Sequence, residues 1–182
     1  MQNRAPDDKF SGGGASRLQR LAEAAIIASL YAAITQIPGV NVISYGPLQF
    51  RVSEALTILP ILTPAAIPGL TIGCVIANGL GVLTGVNIAG WWDVLFGSLA
   101  TLMAAACTYW LRNIKIGKAP VPALLPPVIF NGLIIGAELS LVLPGLNFWA
   151  AAGYVAFGEL VVCFALGLPL YFMLCRVNWP RR

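Results

Sequence analysis

The stretch FWAAAGYVAFGELVVCFALGLPLYFMLC, residues 148–175, decides the class of this chain. Its one charged residue is Glu159, and the remainder is apolar, aromatic or small. At about 1.5 Å per residue, a helix of this length is longer than the roughly 30 Å hydrocarbon core of a bilayer. A helix on the surface of a soluble protein would carry a polar face, which this stretch lacks. The pattern predicts a membrane-spanning helix.

The rest of the chain has the same bias, since 58% of its 182 residues are hydrophobic and 10% are charged. A soluble domain has about a quarter charged residues. We therefore predict an all-α membrane protein, a six-helix bundle. The second segment is short, so it is either tilted deep in the bundle or only partly spanning. The predicted segments are 18–37, 53–63, 68–86, 91–111, 123–143 and 148–175.

Basic residues predict the orientation of this bundle. With six crossings, ten of the eleven Lys and Arg residues fall on one side, which the positive-inside rule makes cytoplasmic. Both termini are then cytoplasmic, and Arg51 lies outside in the long connection 38–52. We divide the chain into a polar tail (1–16), a membrane domain (17–176) and a short basic tail (177–182). The ten residues are Arg4, Lys9, Arg17, Arg20, Arg112, Lys115, Lys118, Arg176, Arg181 and Arg182.

The absence of certain residues and motifs from the sequence argues against several classes of function. It has no histidine, the commonest metal ligand and general base, and no Walker A motif for ATP. We expect no enzyme, catalytic residue, metal site or cofactor, and no nucleic-acid partner. The four cysteines have no ligand spacing and are interpreted as small packing residues: Cys74, Cys107, Cys163 and Cys175.

Two carboxylates inside predicted spans are the main candidates for function. Glu138 and Glu159 fall in the outer half of the bilayer, where a charge near a helix centre costs about 2.5–3.5 kcal/mol. We expect them to bind substrate in one outward-facing cavity. The alternatives are that they are structural carboxyls or a proton relay.

Other polar residues can join that cavity. Asn78 and Asn131 lie nearer the middle of their spans, where they bind substrate or join helices to each other. Arg51 and Glu54 lie at the entrance to the second segment, with Gln49 just before them. They close the site, or they form a loop brace or cap the helix through Ser53. Two further acids near helix ends, Glu23 and Asp93, are interpreted as interfacial.

The first segment carries two rows of small residues spaced four apart. Ala24, Ala28 and Ala32 form one row, and Ala25, Ser29 and Ala33 form a parallel row. Such rows allow a second helix to approach closely in lipid. They predict a partner interface, with packing inside the bundle as the alternative.

At this point the chain resembles a known family, QueT, the queuosine-precursor transporters that are substrate-binding (S) components of energy-coupling factor (ECF) transporters. The resemblance covers residues 18–176. It rests on AIIASLY (25–31), QFRVSEALT (49–57), PAAIPG (64–69), FGSLATL (96–102) and GEL (158–160).

The resemblance implies an S component in the bacterial cytoplasmic membrane that captures its ligand from outside. It would dock onto a transmembrane scaffold (T) subunit driven by two cytoplasmic ATPase subunits, and topple to release the ligand inward. The implied ligand is a 7-deazaguanine, such as 7-aminomethyl-7-deazaguanine or queuine. Carboxylates suit it, because one can accept the guanine-like edge and another can balance an aminomethyl cation.

Three other interpretations stay open at this stage. The first is an S component for a different vitamin-like ligand. The second is a stand-alone proton-coupled carrier that uses Glu138 and Glu159. The third, a membrane enzyme, is disfavoured by the missing histidine.

Overall fold

The computed structural model describes residues 12–46 and 48–177, and within these ranges the regular structure is helical apart from an isolated β-bridge between Ile116 and Ala119. The predicted all-α class is confirmed. Most of the two predicted tails lies outside the described residues. The α-helices are α1 (Gly12–Thr35), α2 (Val40–Ser44), α3 (Ala66–Leu83), α4 (Trp91–Trp110), α5 (Leu125–Val142), α6 (Phe148–Val162) and α7 (Leu168–Arg176). Three other segments are a 3₁₀ helix (Val52–Ile61), a 3₁₀ turn (Val121–Leu124) and a π-helical segment (Cys163–Gly167).

Four helical stretches in the described part are long and apolar enough to cross a membrane. They correspond to the third to sixth predicted segments, because hydropathy over about 20 residues is enough to identify them. The six-span count and the side of the termini stay predictions. The four stretches are Ala66–Leu83, Trp91–Trp110, Val121–Val142 and Phe148–Arg176.

The first two predicted segments differ from ordinary spans. α1 begins at Gly12, inside the predicted polar tail, and its first half carries Arg17, Arg20 and Glu23. The second segment is a ten-residue 3₁₀ helix with Pro60 inside it, and at about 2.0 Å per residue it extends roughly 20 Å. Its residues 53–60 are all buried, which places it inside the bundle.

The helices surround this 3₁₀ helix. α1 packs on α3, α3 on α4, α4 on α5 and α5 on α6, while the 3₁₀ helix contacts α1, α4, α7 and the π-helical segment. The predicted sixth helix is divided by that π-helical segment. π-Bulges are often found at functional sites. The 3₁₀ helix also contacts α3 and α6, so it lies where several helices can present side chains to it.

Small residues hold α1 against α3. A Cβ added at Gly69 would lie 2.8 Å from Ala24 O, and one at Gly73 would lie 2.9 Å from Ala28 O, so the two backbones are in direct contact. This contact buries Ala24, Ala28 and Ala32. It leaves Ala25 and Ser29 exposed, so α3 covers one row of small residues and the other row faces outward.

Candidate functional site

The described part of the chain buries five charged residues, four acidic and one basic. The 3₁₀ helix and its N-cap supply Arg51 and Glu54, α4 supplies Asp93, α5 supplies Glu138 and α6 supplies Glu159. Ionisable residues inside a membrane protein are rare and mark substrate or ion pathways. The excess of carboxyl groups makes this interior suitable for a cationic group.

The first part of the site is an ion pair, here called the Arg51 cluster (Arg51, Asp93, Asn87 and Tyr45). Arg51 Nη2 lies 3.1 Å from Asp93 Oδ2, and Asn87 Nδ2 donates to the same oxygen at 2.9 Å. The guanidinium carbon lies 5.4 Å from the centre of the Tyr45 ring. Arg51 and Asp93 are almost fully buried, so this pair joins the end of the first connection to the first turn of α4.

One interpretation from the sequence is corrected by this pair. The ion-pair partner of Arg51 is Asp93, so the alternative of an Arg51–Glu54 brace is wrong. Asp93 is buried because the face of α4 that carries it turns toward Arg51, and its position near the membrane interface stays a prediction.

Asn78 supports the Arg51 cluster from α3. Its Nδ2 donates to the Asp93 backbone oxygen at 2.7 Å and lies 3.4 Å from Cys74 Sγ. Thr101 of α4 donates to the same sulfur at 3.4 Å. Asn78 therefore fixes the start of α4, which agrees with a helix-joining role, while its Oδ1 has no described partner.

The second part of the site is the Glu54 cluster (Tyr31, Glu54, Asn131, Glu159 and Cys163). The Tyr31 hydroxyl donates to Glu54 Oε1. Asn131 of α5 interacts with both the Glu54 and Glu159 carboxyl groups, although its Nδ2 makes no hydrogen bond of good geometry. Glu159 Oε2 lies 4.0 Å from Cys163 Sγ. Three helices and the 3₁₀ helix thus bring two carboxyl groups together beside Arg51.

Gln49 takes part through its backbone. A Cβ added at Gly158 would collide with the Gln49 carbonyl oxygen, so only glycine at this position of α6 lets the segment before Arg51 lie so close. The Phe50 and Phe157 rings pack edge to face at 6.3 Å beside this contact. The contact brings the segment before Arg51 against α6 next to Glu159, and the Glu159 carboxyl group interacts electrostatically with Arg51.

Glu138 lies at a groove beside the Arg51 cluster. It is 6% exposed and lines a groove between α4 and α5 with Trp92 and Phe96. It interacts electrostatically with Asp93 and Arg51, so it borders the Arg51 cluster. The structure therefore brings most of the predicted substrate-binding residues near Arg51, and it gives Glu138 and Glu159 different neighbours.

Eight buried side-chain atoms in the described residues have no hydrogen-bond partner. Native proteins leave few such atoms, because each unpaired buried polar group costs about 1–3 kcal/mol. Donors and acceptors both occur among them, as a ligand with both kinds of group would require. They are Arg51 Nε, Glu54 Oε2, Asn78 Oδ1, Asp93 Oδ1, Ser98 Oγ, Asn131 Nδ2, Glu138 Oε1 and Glu138 Oε2.

Sequence reasoning missed several members of the site. Asp93 could have been found, since the insertion cost that singled out Glu138 applies to any acid within an apolar segment. Tyr31, Tyr45 and Asn87 gave no such signal, because tyrosine and asparagine are common near membrane interfaces and loops.

Comparison with known proteins identifies the family of this chain. Residues 21–176 match the family described as QueT transporter. This chain belongs to the QueT transporter family. With its several apolar helices, this QueT-family chain is a multi-pass protein of the bacterial plasma membrane.

One relative of this QueT-family chain is the queuosine precursor transporter QueT of Lactococcus lactis subsp. cremoris (strain MG1363). It is 44% identical over 79 residues, which is 43% of this chain and 43% of the relative. The match thus spans less than half the length of either protein. No solved structure matches the chain.

Proposed function

We propose that this chain is the substrate-binding component of an ECF-type importer, and that it captures a queuosine precursor from outside the cell. Membership in the QueT transporter family supports transport, and the name of the Lactococcus relative supports the ligand. The observation that carries the proposal is the buried polar interior, in which four carboxyl groups face one guanidinium and eight polar atoms lack partners.

The chemistry of a 7-deazaguanine fits these groups. Its guanine-like edge offers adjacent N–H and amino donors, which one carboxylate can accept as a pair. Glu54 and Glu159 provide acceptors, and Asn131 between them provides an amide. An aminomethyl group adds a positive charge, which offsets the excess of buried carboxylates. A neutral or anionic ligand would leave that excess uncompensated.

The route of the ligand and the energy source belong to the same proposal. We place both termini in the cytoplasm and count α1 and the 3₁₀ segment with the four long spans, as the distribution of basic residues indicates. Binding is then from the outside. The chain has no Walker A motif, so energy would come from a T subunit and two ATPase subunits. Ala25 and Ser29, on the exposed row of α1, are the candidates for contact with the T subunit.

Direct titration of the purified protein tests the ligand. We expect 7-aminomethyl-7-deazaguanine to bind, guanine to bind less well and unrelated vitamins not to bind. Glu159→Gln should weaken binding about tenfold or more, because buried ligand donors lose a charged acceptor. The matched control is Glu23→Gln, since Glu23 pairs with Thr63 away from the site and its loss should leave affinity unchanged. A folded protein that binds none of the deazaguanines would refute the proposal.

A second function is favoured by one observation, the electrostatic contact between the Glu54 and Glu159 carboxyl groups in the protein interior. Such a pair can share or relay a proton, as in a stand-alone proton-coupled carrier. Uptake by cells that lack the T and ATPase subunits, abolished by an uncoupler, would favour this carrier over the ECF component.

A further inference from the structure

The ends of α4 and α5 form a groove that the Arg51 and Glu54 clusters do not include. Trp92, Phe96, Glu138, Leu141 and Val142 line a space of about 420 Å³. This volume is within the range of about 300–1,000 Å³ that is typical of small-molecule sites. We call it the Glu138 groove. Among the residues that line it in the described structure, Glu138 is the charged one.

The Glu138 carboxyl group differs from the other three buried carboxyl groups. Both of its oxygen atoms are buried, and neither has a hydrogen-bond partner among the described residues. By contrast, Glu54 accepts from Tyr31, and Asp93 accepts from Arg51 and Asn87. A carboxylate with two unused acceptor oxygens can bind an ammonium group, which carries three donors.

The aromatic rings at the groove favour the same kind of ligand. The Trp92 and Phe96 rings stack with their centres 5.9 Å apart and their planes 21° apart. Trp92 lines the groove and is 60% exposed, so part of its side chain is accessible to a ligand. A cation near an aromatic face, and above all near tryptophan, is attracted by the ring electrons. Carboxylate and rings together make a site for an organic cation.

The position of the groove connects it with the proposed substrate site. Glu138 interacts electrostatically with both Arg51 and Asp93, and Asp93 follows Trp92 directly in the chain. A ring held between the Arg51 and Glu54 clusters could therefore extend a short substituent toward Glu138. A carboxylate of the Glu54 cluster would then bind the ring, and the Glu138 carboxylate would bind the substituent.

We propose that Glu138, Trp92 and Phe96 form a subsite for the primary ammonium arm of the substrate, while the Arg51 and Glu54 clusters hold its ring. This inference rests on the proposed function. It assigns to Glu138 the discrimination between charged and neutral substituents on the base. A primary ammonium also occurs in the headgroup of phosphatidylethanolamine, so the experiment separates the two sources.

The test compares the affinities of 7-aminomethyl-7-deazaguanine and its neutral 7-methyl analogue. Glu138→Gln should weaken the aminomethyl compound about tenfold or more and leave the methyl compound within about twofold, since only the first carries the charge. Trp92→Leu should weaken the aminomethyl compound several-fold with less effect on the other. Trp91→Leu is the matched control, because Trp91 is similarly exposed but does not line the groove, and it should change neither affinity.

The outcomes separate the subsite from the function itself. If wild-type protein binds neither compound, the proposed function fails. If it binds both but Glu138→Gln weakens both equally or neither, the proposed function stands and the subsite is refuted. If the Glu138→Gln variant does not fold, the affinities of Trp92→Leu for the two compounds decide between the same outcomes. The affinity should be equal in vesicles of phosphatidylcholine with and without phosphatidylethanolamine, and a lower affinity with phosphatidylethanolamine would overturn the proposal in favour of a lipid headgroup.

Discussion

Replacement of Asp93 by asparagine tests the Arg51 cluster at its centre. The change keeps the shape of the side chain but removes the charge 3.1 Å from Arg51, at side chains that are 4% and 1% exposed. Removal of one partner of a buried pair costs about 3–5 kcal/mol, because the other charge stays buried without compensation. An amide oxygen can still accept from Arg51, and a hydrogen bond to a charged group contributes about 1.5–3 kcal/mol. We therefore expect Asp93→Asn to destabilise the protein by about 2 kcal/mol, and Asp93→Ala by the full cost of about 3–5 kcal/mol.

The assay is thermal unfolding of the detergent-purified protein without ligand, followed by circular dichroism. A double variant, Arg51→Met with Asp93→Leu, serves as the control, because apolar side chains of similar size can replace a buried ion pair at little cost. It should unfold close to the wild-type temperature, well above either single variant. It should nevertheless lose ligand affinity, since the site then lacks its guanidinium.

Two results would refute this reasoning. An unfolding temperature for Asp93→Asn equal to that of the wild type would mean that Arg51 does not need the charge of Asp93 to be stable in the interior. A double variant as unstable as the two single changes combined would mean that Arg51 and Asp93 act independently. In a coupled pair the two effects are not additive.

Two further predictions concern backbone contact and partner contact. Gly158→Ala should lower both the unfolding temperature and the ligand affinity, because the added Cβ collides with the Gln49 carbonyl oxygen. Gly153→Ala on the same helix is the control, since a Cβ there meets nothing within 4 Å. Equal unfolding temperatures and equal affinities for the two variants would contradict this prediction. Ala25→Trp should abolish uptake in cells but leave ligand binding by the purified protein intact, since Ala25 is exposed on α1. Ile129→Trp is the control, because Ile129 is exposed on α5, and it should leave uptake unchanged. Normal uptake with Ala25→Trp would exclude this row of α1 from the partner interface.

The sequence alone determined the class of the protein and most of its long helices. Insertion into lipid depends on the sum of residue contributions along one segment, so α3, α4, α5 and the α6–α7 stretch could be located by hydropathy. The same local argument identified Glu138 and Glu159, because a charge in an apolar segment is costly in any fold. The family resemblance added the expected transport function, which the family match supports.

Only the tertiary structure decided how these segments use their polar residues. Arg51 and Asp93 are 42 positions apart, and their pairing depends on the rotation of α4 and on the path of the first connection. Two equivalent rows of small residues were visible on α1, but the glycines of α3 determine which row is buried. Pairing energies arise between segments, so they depend on the depth and rotation of each helix, which the composition of a single segment does not contain.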